Sequence, residues 1–190
     1  MPVWNPTYER VSKACAIWRS LAIDRLVEAH PALILVAGTR GFAVVDGSGH
    51  LLSSDARTRA WEAGMQRTPA RLIPAAGRVI MLADTPLSLV DPPVCLSVHP
   101  SSVLACATPV KSAINTAWLA EEHLLAASEG VGFIDPTPWV CPSSPCPVVL
   151  GNLLVYRDAG HLTATFAAAL ADRLEQAVLA DLARRRPAGS

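Results

Sequence analysis

Three short apolar runs recur through the 190 residues: LILVA at 33–37, RVIMLA at 78–83 and GVGFID at 130–135. Each is strand-sized and bounded by glycine, proline or aspartate, and the stretches between them carry apolar residues at helical spacing. A continuous apolar run suits a strand buried on both faces of a sheet. Strands alternating with helices predict an α/β chain, a three-layer sandwich with a largely parallel sheet and helices on both faces. Such a sheet normally begins with a strand. This chain begins with a helical pattern, so its first strand unit is expected to be missing.

The elements follow from local signals. Residues 8–29 predict a helix with Trp18, Ala22, Leu26 and Ala29 on its inward stripe, stopped by Pro31. FAVVDGSGHLL is an excursion whose Gly-Ser-Gly turn suits a small hairpin. Ser54-Asp55 is expected to cap a helix striped by Trp61, Met65 and Leu72, kinked or ended early by Pro69. Residues 84–108 hold four prolines and two cysteines without a period, which predicts a long tied-down loop. Thr108-Pro109 predicts the start of a helix over 110–128, with Val110, Ile114, Ala117 and Leu124 inward. PTPWVCPSSPCP predicts a rigid loop, and VVLGNLLVY one or two short strands. Thr163 is expected to cap a last helix to about residue 183, striped by Phe166, Leu170, Leu174 and Val178. Residues 1–183 are expected to form one domain and 184–190 a disordered tail.

With 51% hydrophobic and 17% charged residues the chain should fold. Its 16 basic and 16 acidic side chains cancel, so nothing recommends a nucleic-acid partner. Arg184, Arg185 and Arg186 read as a solvated helix end. No apolar stretch approaches the roughly 20 residues of a membrane span, and the first residues lack the pattern of a secretion signal. Four of five cysteines form two local pairs in proline-rich loops, Cys95 with Cys106 and Cys141 with Cys146. They read as disulfide staples of an oxidising compartment, with the connectivity open. Zinc is the rival reading, but neither a CxxC knuckle nor a histidine pair completes a site. Cys15 is left over, as a thiol or as half of a bridge to a cysteine elsewhere. No cofactor or metal is expected.

Asp158 and His161 stand three apart in YRDAGHLTATF, directly after the strand-like LLVY. In open α/β sheets ligands bind beyond the carboxyl ends of strands. An Asp-x-x-His turn lets the carboxylate fold back onto Nδ1–H and leaves Nε2 as a general base. Such a base activates a serine hydroxyl, which is a weak nucleophile until its proton has somewhere to go. The bland alternative is a histidine hydrogen-bonded near a helix start beside a turn-capping aspartate, and the four-residue pattern alone favours it.

Longer stretches weigh against that alternative. CPSSPCPVVLGNLLVYRDAGHLTATFAAALADRL, with its CP-x-x-x-CP loop, V-Y-x-D strand end and H-L-T helix start, resembles the terminal segment of SGNH hydrolase-like domains, especially those fused behind acyltransferase family 3 membrane proteins. VIMLADTPLSLVDPPVCL resembles the family's central strand, D-x-P loop and cysteine. VWNPTYERVSKACAIW resembles the segment after its first cysteine. The resemblance implies an SGNH or flavodoxin-like fold, with Asp158 and His161 as acid and base of a triad. The family's nucleophile lies in a Gly-Asp-Ser motif, which these 190 residues do not contain. The expectation is a chain that starts downstream of that block, which also accounts for the missing strand and for Cys15. Gly47-Ser48 sits in the excursion and is not promoted to nucleophile.

In LVAGTRGF, Thr39 and Arg40 stand where the family often has an oxyanion asparagine, so they are weak candidates for oxyanion or substrate contact. Asp84, at another strand end, is a candidate of the same kind that could line the cleft or simply cap its loop, and Asn152 is a weaker one. Core packing is expected for Trp18, Trp61 and Trp118, and a carbohydrate face suits Trp4 and Trp139 better. The resemblance implies an O-acyltransferase or esterase acting on acyl, most simply acetyl, esters of cell-envelope glycans. Its partners would be an acyl donor, a glycan acceptor and a fused or associated acyltransferase family 3 membrane domain at the extracytoplasmic face of the membrane. The competing expectation is a catalytically inactive glycan-binding or structural module.

Overall fold

The computed structural model describes residues 4–5, 10–11, 13–39 and 43–184. They gather into two compact units, Met1–Leu82 with His123–Phe133 and Ala83–Glu122 with Ile134–Ser190.

The first unit opens with an antiparallel pair, β1 (Trp4–Asn5) and β2 (Arg10–Val11). Helix α1 (Lys13–Ala29) ends where His30 takes a positive φ of 44° before Pro31. Proline disfavours helical backbone in the residue before it, so the stop lies where the sequence places it. Strand β3 (Leu33–Ala37) pairs in parallel with β4 (Arg78–Leu82), Leu33 opposite Arg78 through Ala37 opposite Leu82. Strand β5 (Gly132–Ile134) completes a three-stranded parallel sheet in the order β3-β4-β5. Between β3 and β4, the excursion makes a small hairpin in which Leu52 N–H donates to the Val44 carbonyl and Asp46 accepts from the amides of Ser48 and His50. Helix α2 (Ser54–Leu72) follows, capped by Ser53 one residue earlier than expected, and a short 3-10 turn at Ile73–Ala75 leads into β4.

Three expectations about this unit are corrected. Central β4 buries Val79, Ile80 and Met81, but β3 buries only Ile34, and Leu35 is 41% exposed. Among the described residues β3 is an edge strand of the sheet, and its exposed Leu35 beside buried Ile34 shows that a continuous apolar run does not mean two covered faces. Trp18 is 69% exposed beside exposed Ile17 and Leu21, while Ile23 and Leu26 meet the core of Ile34, Leu72, Val79 and Met81. Helix α1 is apolar on more than one side, so periodicity alone did not choose the buried one. Helix α2 runs through Pro69 to Leu72 without ending early; the proline removes the one N–H that would bond the Met65 carbonyl, while its own carbonyl still accepts from Ile73 N–H.

The second unit fills the irregular stretch after β4. Asp91 caps a helix, α3 (Pro92–Val98), by accepting from Val94 N–H at 3.1 Å, and proline occupies the first helical position, where no N–H is needed. Cys95 is bonded to Cys106, at the end of a 3-10 turn (Val103–Cys106). The helix expected over 110–128 is two: α4 (Val110–Ala113) and α5 (Thr116–Ser128). Asn115 breaks it by accepting from Trp118 N–H at 3.1 Å, a local bond that competes with continued helix. Ala113 is buried; in the part of α5 that belongs to the first unit, Leu124, expected inward, is exposed and Ala126 is buried.

After β5 come α6 (Thr137–Val140) and the second disulfide, Cys141 to Cys146. Strands β6 (Val149–Leu150) and β7 (Leu153–Leu154) form a hairpin turned at Gly151, whose φ of 58° suits glycine. Thr163 caps α7 (Ala164–Ala169) by accepting from Phe166 N–H, and α8 (Ala171–Arg184) follows a break at Leu170. Phe166 packs with Val140, Val148, Val155, Tyr156 and Cys106, a burial that stabilises by roughly 1.5–3 kcal/mol for such a side chain. Of the tail expected at 184–190, Arg184 is the last residue of α8 and 185–190 lie outside the described residues. Among the described residues no helix is long and apolar enough to cross a membrane.

Candidate active site

The site grows from β7. Beyond it, Val155 and Tyr156 are buried, so the backbone entering the turn is anchored in the core. Tyr156 bridges to Leu162, and Arg157 N–H donates to the His161 carbonyl at 2.8 Å, closing a tight loop around Asp158, Ala159 and Gly160. Among the described residues the Tyr156 hydroxyl has no hydrogen-bond partner, and burial pushes its pKa up to about 12, so it stays neutral. On the far side Thr163 donates its hydroxyl to the Leu154 carbonyl at 2.6 Å and its amide to the Val155 carbonyl at 2.9 Å.

Inside the loop the Asp158 carboxylate is the hub. Oδ1 accepts from the amides of Gly160 and His161, each at 2.9 Å, and from His161 Nδ1 at 2.8 Å. Oδ2 lies 3.0 Å from Nδ1 and accepts from Arg157 Nε and Nη2 at 3.3 and 3.2 Å. The Gly160 amide, followed by the His161 ring, holds the carboxyl well below the usual carboxylate range. An ionised carboxylate against Nδ1 requires the proton there, which fixes the tautomer and leaves Nε2 as the basic nitrogen. The His161 side chain is 71% exposed and Asp158 36%, so the pair is formed yet reachable.

One further segment touches the turn. Ser88 N–H donates to the Ala159 carbonyl at 2.9 Å, and a Cβ added to Gly160 would meet Leu87 Cδ2 at 3.9 Å. The loop after β4 thus abuts the turn through a main-chain bond that no local pattern announces. Arg157 was also missed, although its place next to Asp158 was a usable signal.

A family model described as an SGNH domain fused to AT3 domains matches residues 1–176. The chain belongs to this family. A solved structure, the periplasmic domain of a lipopolysaccharide acetyltransferase from Salmonella ser. Paratyphi A, is similar with a TM-score of 0.60 and 16% identity. That match covers 84% of this chain and 61% of the other, so this chain spans about three fifths of its neighbour's length; at such identity the likeness shows the fold. No curated protein matches.

Within this SGNH domain the structure brings Asp158 and His161 together. Asp84 is exposed, and its Oδ1 accepts from its neighbour Thr85 N–H at 2.9 Å, so it caps its own loop. That loop reaches Ser88 four residues later, which places Asp84 upstream of the turn without a bond to the pair. Thr39 is exposed after β3, in the first unit, and Arg40 lies outside the described residues. Asn152 is exposed at the hairpin turn. Trp61, Trp118 and Trp139 are half-buried, and the Trp4 side chain lies outside the described residues. Cys95, Cys106, Cys141 and Cys146 form the two disulfides, and Cys15 is an exposed residue of α1. Among the described residues no three His, Cys, Asp or Glu side chains gather as metal ligands.

Proposed function

We propose that this domain takes part in transfer or hydrolysis of acyl groups, acetyl foremost, on cell-envelope glycans at the extracytoplasmic face of the membrane. The observation that carries this is the exposed His161 ring held 2.8 Å from Asp158 in an SGNH domain. His161 Nε2 takes the proton of an attacking serine hydroxyl, the acyl group passes to that oxygen, and the imidazolium returns the proton to the leaving group. Asp158 orients the ring and stabilises its charged form. Water as the second acceptor gives hydrolysis and a sugar hydroxyl gives transfer. Two disulfides and the periplasmic origin of the structural neighbour support the location. The family's fusion to AT3 domains supports a membrane-bound acyltransferase as the partner that delivers the acyl group.

The attacking serine is one that no Gly-Asp-Ser within these 190 residues marks. That absence also favours a second reading, a catalytically inactive module that binds glycan or serves structure. A serine-reactive phosphonate with peptide mapping separates the two. Labelling of one serine, reduced about 100-fold or more by His161→Ala, supports the mechanism at the scale of a lost general base. Labelling that ignores His161→Ala, or none in the whole encoded polypeptide, supports the inactive module.

A further inference from the structure

We propose that Thr108 is a positioning residue for the Asp158–His161 turn, relaying the rigidity of both disulfides to it. Thr108 was expected to cap a helix, but Pro109 takes the N-cap position of α4. It is buried, and its hydroxyl accepts from Leu89 N–H at 3.1 Å. The preceding amide, Ser88 N–H, donates to the Ala159 carbonyl between Asp158 and His161, at 2.9 Å. One hydroxyl therefore fixes the peptide next to the one that holds the turn.

The other end of the relay is anchored covalently. Thr108 and Cys146 exchange two main-chain bonds of 3.0 and 2.8 Å, and Cys146 is bonded to Cys141. Cys106, two residues before Thr108, is bonded to Cys95. Both bridges thus converge on Thr108. Leu87 N–H donates to the Ala113 carbonyl at 3.0 Å, so the segment 87–89 is pinned at three consecutive amides. A general base is useful only if its ring is held close to the productive geometry, and such support comes from neighbours that are themselves locked. The catalytic meaning of the relay rests on the function proposed above; the mechanical relay does not.

Amide hydrogen exchange and amide NMR shifts of the oxidised protein test it in Thr108→Val, which keeps the shape and removes the acceptor, and in Thr108→Ser, which keeps the acceptor. The expected result is exchange at Leu89 and Ser88 faster by about 5- to 100-fold in Thr108→Val, the range that follows from leaving a partly buried donor unsatisfied. The Gly160 and His161 amide signals, which report the bonds to Asp158, move with it, and Thr108→Ser restores all four. If Thr108→Val shifts Leu89 alone, the relay is refuted. If Thr108→Val does not fold, Thr108→Ala takes its place, and equal exchange in the Ala and Ser variants overturns the role of the hydroxyl. Phosphonate labelling is run in parallel. Labelling that falls in Thr108→Val and recovers in Thr108→Ser extends the relay to catalysis. Labelling indifferent to His161→Ala sinks the proposed function and leaves the exchange result standing.

Discussion

Opening the two disulfides separately gives a quantitative test of what holds the second unit together. The bridged cysteines lie 11 and 5 positions apart in sequence, Cys95 to Cys106 and Cys141 to Cys146. Cross-linking restricts the unfolded chain more for the longer loop, and the chain-entropy relation gives about 2.8 and about 2.1 kcal/mol for these separations. Cys106 and Cys146 are buried, so alanine at either position also removes packed sulfur, adding about 1 kcal/mol to each variant. Cys95→Ala/Cys106→Ala should therefore lose about 4 kcal/mol and Cys141→Ala/Cys146→Ala about 3 kcal/mol, measured by urea denaturation of folded, oxidised protein. Because both bridges converge on Thr108, the four-alanine variant should depart from the sum of the two pairs. Unchanged midpoints in both pairs would show that the bridges do not constrain the chain. A larger loss for the shorter Cys141–Cys146 loop would refute the entropic reasoning and point to native-state packing.

Gly77 lies where a Cβ would come 2.7 Å from the Ala32 carbonyl oxygen, a backbone atom that cannot swing aside. Gly77→Ala should lower stability by about 1–3 kcal/mol in the same denaturation assay, and a loss under about 0.3 kcal/mol would contradict the close approach. Asp158, with its folded-state pKa depressed, should stay ionised well below the usual carboxylate range in a carbon-13 titration. Its stabilising effect is complete above the unfolded value of about 4 and is lost as pH falls through the folded-state value. His161→Ala should raise that midpoint only part of the way, since the Gly160 amide is the larger cause; an ordinary midpoint in the unaltered protein would remove the carboxylate hub.

Much of the architecture was legible because it rests on local physics. LILVA, RVIML and GFI become strands since apolar runs of that length, cut off by glycine and proline, have few other uses. Thr163 caps its helix through a bond to a residue three ahead, and Asp158 gathers Gly160 and His161 from within its own turn. For the same reason the Asp158–His161 contact is local, although four residues of sequence alone favoured a capped turn and the family was legible only from longer motifs. Asp91-Pro92-Pro93 was an equally local helix signal that went unread.

The remaining decisions are nonlocal. Which side of α1 is covered depends on where the sheet and α2 lie, so Trp18 and Ile23 look alike in sequence and end in opposite environments. Whether β3 has a neighbour on each side is a property of the sheet, not of LILVA. Thr108 reads as a helix cap until Leu89 arrives from 19 residues away to donate to its hydroxyl. Hydrogen bonds within one turn and alternating apolar residues are encoded by spacing along the chain. Burial and long-range pairing are settled only when distant segments compete for the same space.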